Sequence, residues 1–284
     1  MERILILIII SNMPNRKQYD LTVMKVKDLS VPIQFPREID DRLPEPPCVL
    51  TSIMVVRSGK SNLFFWLLNS EQAYGGIFDL IYIISPTIKT DRTGQQWLRE
   101  EFKDKVVIHD DMNTVNEFIK DILDYQSSFD VNDEDNQPPL IAIVLDDISG
   151  YIKRNSFVNH LFSRYRHYNV SLFIANQSCK DLPCIVRSQT TGLFLSKCHS
   201  FLEKSKILEE FAPIYENRLL TIWDECVKER YNYCYLKLDD IEPRIFKIGK
   251  DGCQQINWRD YEIILPHELV KYIRKNDKKK LKNK

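Results

Sequence analysis

Residues 46–70, PPCVLTSIMVVRSGKSNLFFWLLNS, read as a buried strand, a tight turn and a helix. Residues 49–56 are β-branched and aliphatic over a length that suits a central parallel strand. Residues 62–69 are apolar on nearly every face, as a helix packed on a sheet must be. The turn between them carries Gly59-Lys60-Ser61 at the helix N-terminus, where unpaired backbone N–H groups and the positive end of the helix dipole favour an anion. In a phosphate-binding loop Gly59 would let the backbone approach that anion, Lys60 would reach the β- and γ-phosphates, and Ser61 would hold Mg²⁺. Arg57, Ser58 and Asn62 flank these residues and complete the candidate nucleotide-binding loop.

The usual pattern G-x-x-x-x-G-K-[ST] is incomplete, because Met54 stands where the first glycine belongs and Arg57 lies inside the loop. An ordinary strand-to-helix turn that happens to contain Gly-Lys-Ser reads the same way. The deciding feature is an acidic strand downstream.

Residues 140–147, LIAIVLDD, supply one: six apolar residues of a buried strand ending in two adjacent carboxylates. In a nucleotide hydrolase Asp146 belongs to the Mg²⁺ site, and Asp147, one residue on, orients and activates the attacking water beside the γ-phosphate. Taken alone, the pair also suits a strand end in solvent or a cap for a helix starting near Ser149. Taken with Gly59-Lys60-Ser61, it makes nucleotide hydrolysis the leading reading. Residues 170–175 form a further buried strand ending in Asn176-Gln177, and an amide at that tip senses the γ-phosphate or holds the water, unless Gln177 is only a turn residue.

The rest of the chain frames these segments. With 43% hydrophobic and 28% charged residues, the composition is that of a soluble globular chain able to bury a large core. Lys+Arg and Asp+Glu both number 40, so the whole chain has no bias toward polyanions and any DNA contact must come from local patches. Seven cysteines without a CxxC pair fit reduced thiols in an intracellular setting better than a disulfide framework. The opening MERILILIIIS is far short of the roughly 20 apolar residues that span a bilayer, and a first strand is the better reading, with no membrane partner expected.

In order, residues 1–44 are expected to be this strand and an irregular, proline-punctuated lead-in with one short strand at 21–26. A compact core follows over 45–250. Its further strands are expected at 78–84, 106–109 and 191–196, its helices at 95–102, 114–125, 157–168, 201–211 and 213–227, and a terminal hairpin at 231–238 and 243–248. Residues 183–187 read as a short connection and 127–139 as an acidic loop. Residues 251–273 form a C-terminal segment, and the basic tail 274–284, RKNDKKKLKNK, is expected to be disordered. No Asn-Lys-x-Asp motif is present to read guanine, and the part beyond the acidic strand is too short for a second motor domain.

Seven segments together resemble the FtsK/HerA class of P-loop motors, and within it the genome-packaging ATPases of large DNA viruses, virophages and Polinton-like elements. They are LPEPPCV, RSGKSNL, FDLIYIISPT, LIAIVLDDISG, RYRHYNVSLFIANQ, LPCIVRSQTTGLF and YCYLKLDD, in the order of that class. Asp147 departs from the pattern, since relatives often carry Glu there. The resemblance implies a RecA-like α/β fold with a mainly parallel central sheet flanked by helices, a self-assembled ring, hexameric in form, and translocation of double-stranded DNA into a capsid. Capsid proteins are then further partners, and the host cytoplasm, a viral factory or the virion the setting. It also matches an arginine to Arg187 in LPCIVR. A planar guanidinium supplied to a neighbour's γ-phosphate stabilises the spread charge of the transition state, and Arg187 is the candidate for that role, ahead of Arg166 and Arg164. A degenerate loop serving assembly or scaffolding, and a P-loop kinase acting on a small molecule, are the rival readings.

Overall fold

The computed structural model describes residues 33, 35–90, 94–98, 104–129, 137–152 and 156–264. The expected strands at 1–11 and 21–26 and the basic tail lie outside them.

Among the described residues nine strands form one sheet in the order β3-β2-β4-β5-β1-β6-β7-β8-β9. The strands are β1 (Val49–Ile53), β2 (Leu80–Ile84), β3 (Val106–His109), β4 (Ile141–Asp146), β5 (Val170–Asn176), β6 (Gly192–Leu195), β7 (Tyr233–Lys237), β8 (Arg244–Gly249) and β9 (Gly252–Ile256). Every pairing from β3 to β6 is parallel, and β7, β8 and β9 follow as an antiparallel wing. The sheet is mainly parallel, as expected of the α/β class. β5 lies between β1 and β4, so the loop-bearing strand and the acidic strand are separated by the amide-tipped one.

The two-residue period of the strands sorts the core. Val49, Ile53, Ile141, Ile143, Leu145, Leu172, Ile174, Leu193 and Leu195 share one cluster with helices α2 (Val115–Ser127), α4 (Ser156–Arg164), α5 (Cys184–Gln189), α6 (Phe201–Phe211) and α7 (Leu219–Cys226). The alternate residues belong to a second, aromatic layer with α1 (Lys60–Asn69). There Phe173 of β5 makes edge-to-face contacts with Phe64, Tyr74 and Phe78 at 5.7, 5.8 and 5.8 Å. Farther along this face, Tyr235 stacks on Phe194 at 4.4 Å.

Several elements are shorter or more broken than the hydrophobic pattern predicts. β1 ends at Ile53: the N–H of Met54 makes the last rung to β5, on the Asn176 carbonyl at 3.0 Å, and the N–H of Val55 then turns off to Ser196 Oγ at 3.2 Å. The helix expected at 95–102 is a 3₁₀ turn, Gly94–Leu98, over its described part. The one expected at 157–168 becomes α4 and a 3₁₀ turn, Tyr165–Tyr168, stopped by Asn169 in the left-handed region. Residues 213–227 split into a 3₁₀ turn (Ala212–Tyr215) and α7, because Glu216 and Asn217 both have positive φ. The connection at 183–187 folds as α5, and α3 (Ser149–Ile152) is a single turn. Among the described residues no helix is long and apolar enough to cross a membrane.

Candidate active site

Parallel register brings the carboxyl ends of β2, β4, β5, β1 and β6 to one edge, where open α/β sheets bind ligands. Arg57, Gly59, Lys60, Ser61, Asn62, Asp146, Asp147 and Gln177 line a single cleft of about 350 Å³ there. Ser58 belongs to the same loop but turns its carbonyl away, to the hydroxyl of Tyr233 at 2.8 Å.

Gly59 caps α1 with φ +96°, a conformation that side chains rarely adopt. Lys60 is the first residue of the helix and only 8% exposed. A cation at the positive end of a helix dipole is unfavourable in itself. Asp147 offsets it: Lys60 Nζ lies 3.2 Å from Asp147 Oδ1. Asp147 is turned toward the loop by its own backbone, with φ +55° immediately after β4. Gln177, just beyond β5, donates from Nε2 to the same Oδ1 at 3.1 Å. One carboxylate oxygen thus gathers the lysine of the loop and the amide of the neighbouring strand. Ser61 Oγ donates to Asp146 Oδ2 at 2.9 Å, so a hydroxyl and a carboxylate, both hard oxygen donors, stand side by side as a magnesium site requires.

Thr87, at the carboxyl end of β2, lines the cleft as well. Thr87 is not among the candidates drawn from the sequence, where the strand is expected to end at residue 84; the adjacency of β2 to β4 is what brings it in. Val56 also lines the cleft, on the turn rather than in a strand.

Arg187 stands outside this group. Its side chain is 13% exposed, with Nε 3.2 Å from Glu210 of α6 and Nη1 donating to the Leu182 carbonyl. Within this single subunit the guanidinium is therefore occupied by Glu210 and the Leu182 carbonyl. Arg166 and Arg164 are exposed, and Arg166 Nε donates to the Tyr165 hydroxyl at 2.9 Å.

No family model matches the chain. A 98-residue stretch is 30% identical to the uncharacterised protein 015R of Frog virus 3, covering 34% of this chain and 30% of that relative's length. Among solved structures, the DNA-packaging ATPase B204 of Sulfolobus turreted icosahedral virus has 15% identity and a TM-score of 0.50, over 78% of this chain and 99% of that one. The B204 protein of Sulfolobus turreted icosahedral virus 2, a genome-packaging NTPase solved with AMP, gives the same identity and score over 78% of this chain and 100% of that chain. The pCW3 conjugation coupling protein TcpA, in a monomer form with ATPγS, has 12% identity and a TM-score of 0.51 over 80% of this chain and 65% of that one.

The fold is that of a P-loop NTPase. It is shared with a viral packaging ATPase and a conjugation coupling protein, as the resemblance to the FtsK/HerA class implies.

Proposed function

We propose that this chain is an ATP-driven motor that moves double-stranded DNA, and that its use is the packaging of a viral genome. The observation that carries the reading is the convergence of Lys60 and Gln177 on Asp147, beside the Ser61–Asp146 pair, at the carboxyl edge of the sheet. Lys60 and the first N–H groups of α1 hold the β- and γ-phosphates. Asp147 takes the proton of the attacking water while Gln177 holds that water in line, so both act chiefly in the transition state. When bound, Mg²⁺ neutralises charge on the phosphates, and Ser61 and Asp146 are the residues that fit it. Ser58, Arg57 and Asn62 complete the loop. Solved proteins with this fold include a DNA-packaging ATPase and a conjugation coupling protein, which supports translocation of DNA as the work done.

In this reading the subunits form a ring, hexameric in form, around duplex DNA, with capsid proteins as further partners and the host cytoplasm or viral factory as the setting. Arg187 completes a neighbour's site, and to do so it exchanges Glu210 for the γ-phosphate. Mixing Arg187→Ala with Lys60→Ala protein checks this: mixed rings contain some interfaces with both an intact loop and an intact arginine, so turnover partly returns. Full activity of Arg187→Ala alone excludes the role.

The deciding experiment is ATP turnover with and without duplex DNA. The motor reading expects hydrolysis that rises with DNA and disappears in Lys60→Ala. Absence of turnover under both conditions returns the chain to the scaffold reading, and phosphate transfer to a small molecule without DNA to the kinase reading.

A further inference from the structure

The nucleotide loop lacks the first glycine of its pattern, and its shape is fixed from outside. The N–H of Met54 donates to the Asn176 carbonyl at the end of β5, at 3.0 Å, and that of Val55 to Ser196 Oγ beyond β6, at 3.2 Å. The N–H of Ser58 closes the turn onto the Val55 carbonyl at 3.2 Å. Arg57, inside that turn, has φ +61°, a conformation that persists only where the surroundings over-determine it.

The remaining constraint comes from the antiparallel wing. Tyr233 Oη donates to the Ser58 carbonyl at 2.8 Å, and a Cβ built on Gly59 would lie 2.7 Å from the same oxygen. The phenol therefore grips the peptide before Gly59 and fills the space that only glycine leaves open. Its mounting is rigid: Tyr233 opens β7, opposite Ile248 of β8, and the next residue, Cys234, pairs with Leu195 of β6. Burial raises the pKa of the Tyr233 hydroxyl above its ordinary value, so it remains a donor at neutral pH.

We propose that Tyr233 is a positioning residue of the nucleotide site, which holds the Ser58–Gly59 peptide so that the loop's N–H groups face the phosphates, and ties the β7–β9 wing to nucleotide binding. This rests on the reading of residues 57–62 as a phosphate-binding loop. Preorganisation of this kind acts on affinity, because the loop must otherwise be ordered when ATP binds.

The test is Tyr233→Phe, which keeps the ring and removes only the hydroxyl. A fluorescent ATP analogue is titrated into the wild-type chain first; absence of binding there defeats the phosphate-loop reading and this proposal with it. With wild-type binding in hand, the expected result is a Kd and KM for ATP raised roughly three- to tenfold, the value of one hydrogen bond. kcat stays within about twofold and the thermal midpoint changes little, since a neutral hydrogen bond is all that is lost. An unchanged Kd overturns the proposal while leaving the phosphate-loop reading intact. A fall in kcat at unchanged KM, or a lowered midpoint with no change in affinity, also overturns it, because that is the signature of a packing residue.

Discussion

The two parts of the sheet differ in what their strand ends can do. From β3 to β6 all strands point the same way, so Asp146, Asn176 and the loop after β1 meet at one edge. In the wing, β7 to β9 alternate in direction, and successive strand ends fall on opposite edges. Parallel strands can pool their termini into a site; an antiparallel wing cannot, and contributes instead by bracing through a side chain such as Tyr233. Burial follows the same division. All of β5 is buried, whereas β9 exposes three of its five residues, so pleat and burial hold β5 far more firmly.

Four substitutions test this division, beginning with the most severe. Lys60→Ala removes the charge proposed to meet the phosphates and should abolish ATP binding without loss of fold, as read by titration and circular dichroism. Asp147→Asn should retain binding but cut turnover by roughly 10²-fold or more, the usual worth of a general base. Normal turnover by either variant breaks the assignment of chemistry to the parallel edge. Phe173→Ala, in the aromatic layer of the parallel half, should cost about 3–5 kcal/mol of stability in chemical denaturation. Gln255→Thr, exposed on β9, should lie within about 0.5 kcal/mol of wild type with unchanged ATP affinity. A Gln255 variant that destabilised as much as Phe173→Ala would mean that the wing carries the fold after all.

The legibility of the sequence follows the same line. LIAIVLDD and VSLFIAN announce themselves because a strand buried on both faces has no polar alternation to confuse it with anything else. The carboxylates and the amide at their tips stand out for the same reason: polar groups at the end of such a run need a use. GCQQI of β9 offers neither a continuous apolar run nor a clean alternation, and the sequence reading leaves it without an element. Of the candidate residues, Lys60, Ser61, Asp146, Asp147 and Gln177 are adjacent in space because strand order makes them so. The entry of Thr87 into the cleft and the hold of Tyr233 on the Ser58 carbonyl depend on pairings that no local pattern encodes. Arg187 is visible as an arginine, but Glu210 lies 23 residues away on a helix whose packing the pattern does not specify.

The position of β1 has a consequence for how the chain is made. β1 lies between β5 and β6, and its hydrogen bonds run to residues far downstream: the N–H of Cys48 donates to Ser171 Oγ across 123 residues, and that of Val49 to Thr191 Oγ1 across 142. At synthesis rates of roughly 5–20 residues per second, β1 leaves the ribosome some 6–25 s before its first neighbour exists. During that interval VLTSI, rich in β-branched residues and without a charge, has no partner on either edge, which invites pairing with other nascent chains. Expression yield of this protein should therefore depend on translation speed and on chaperones that shield extended segments, even where the finished fold is stable.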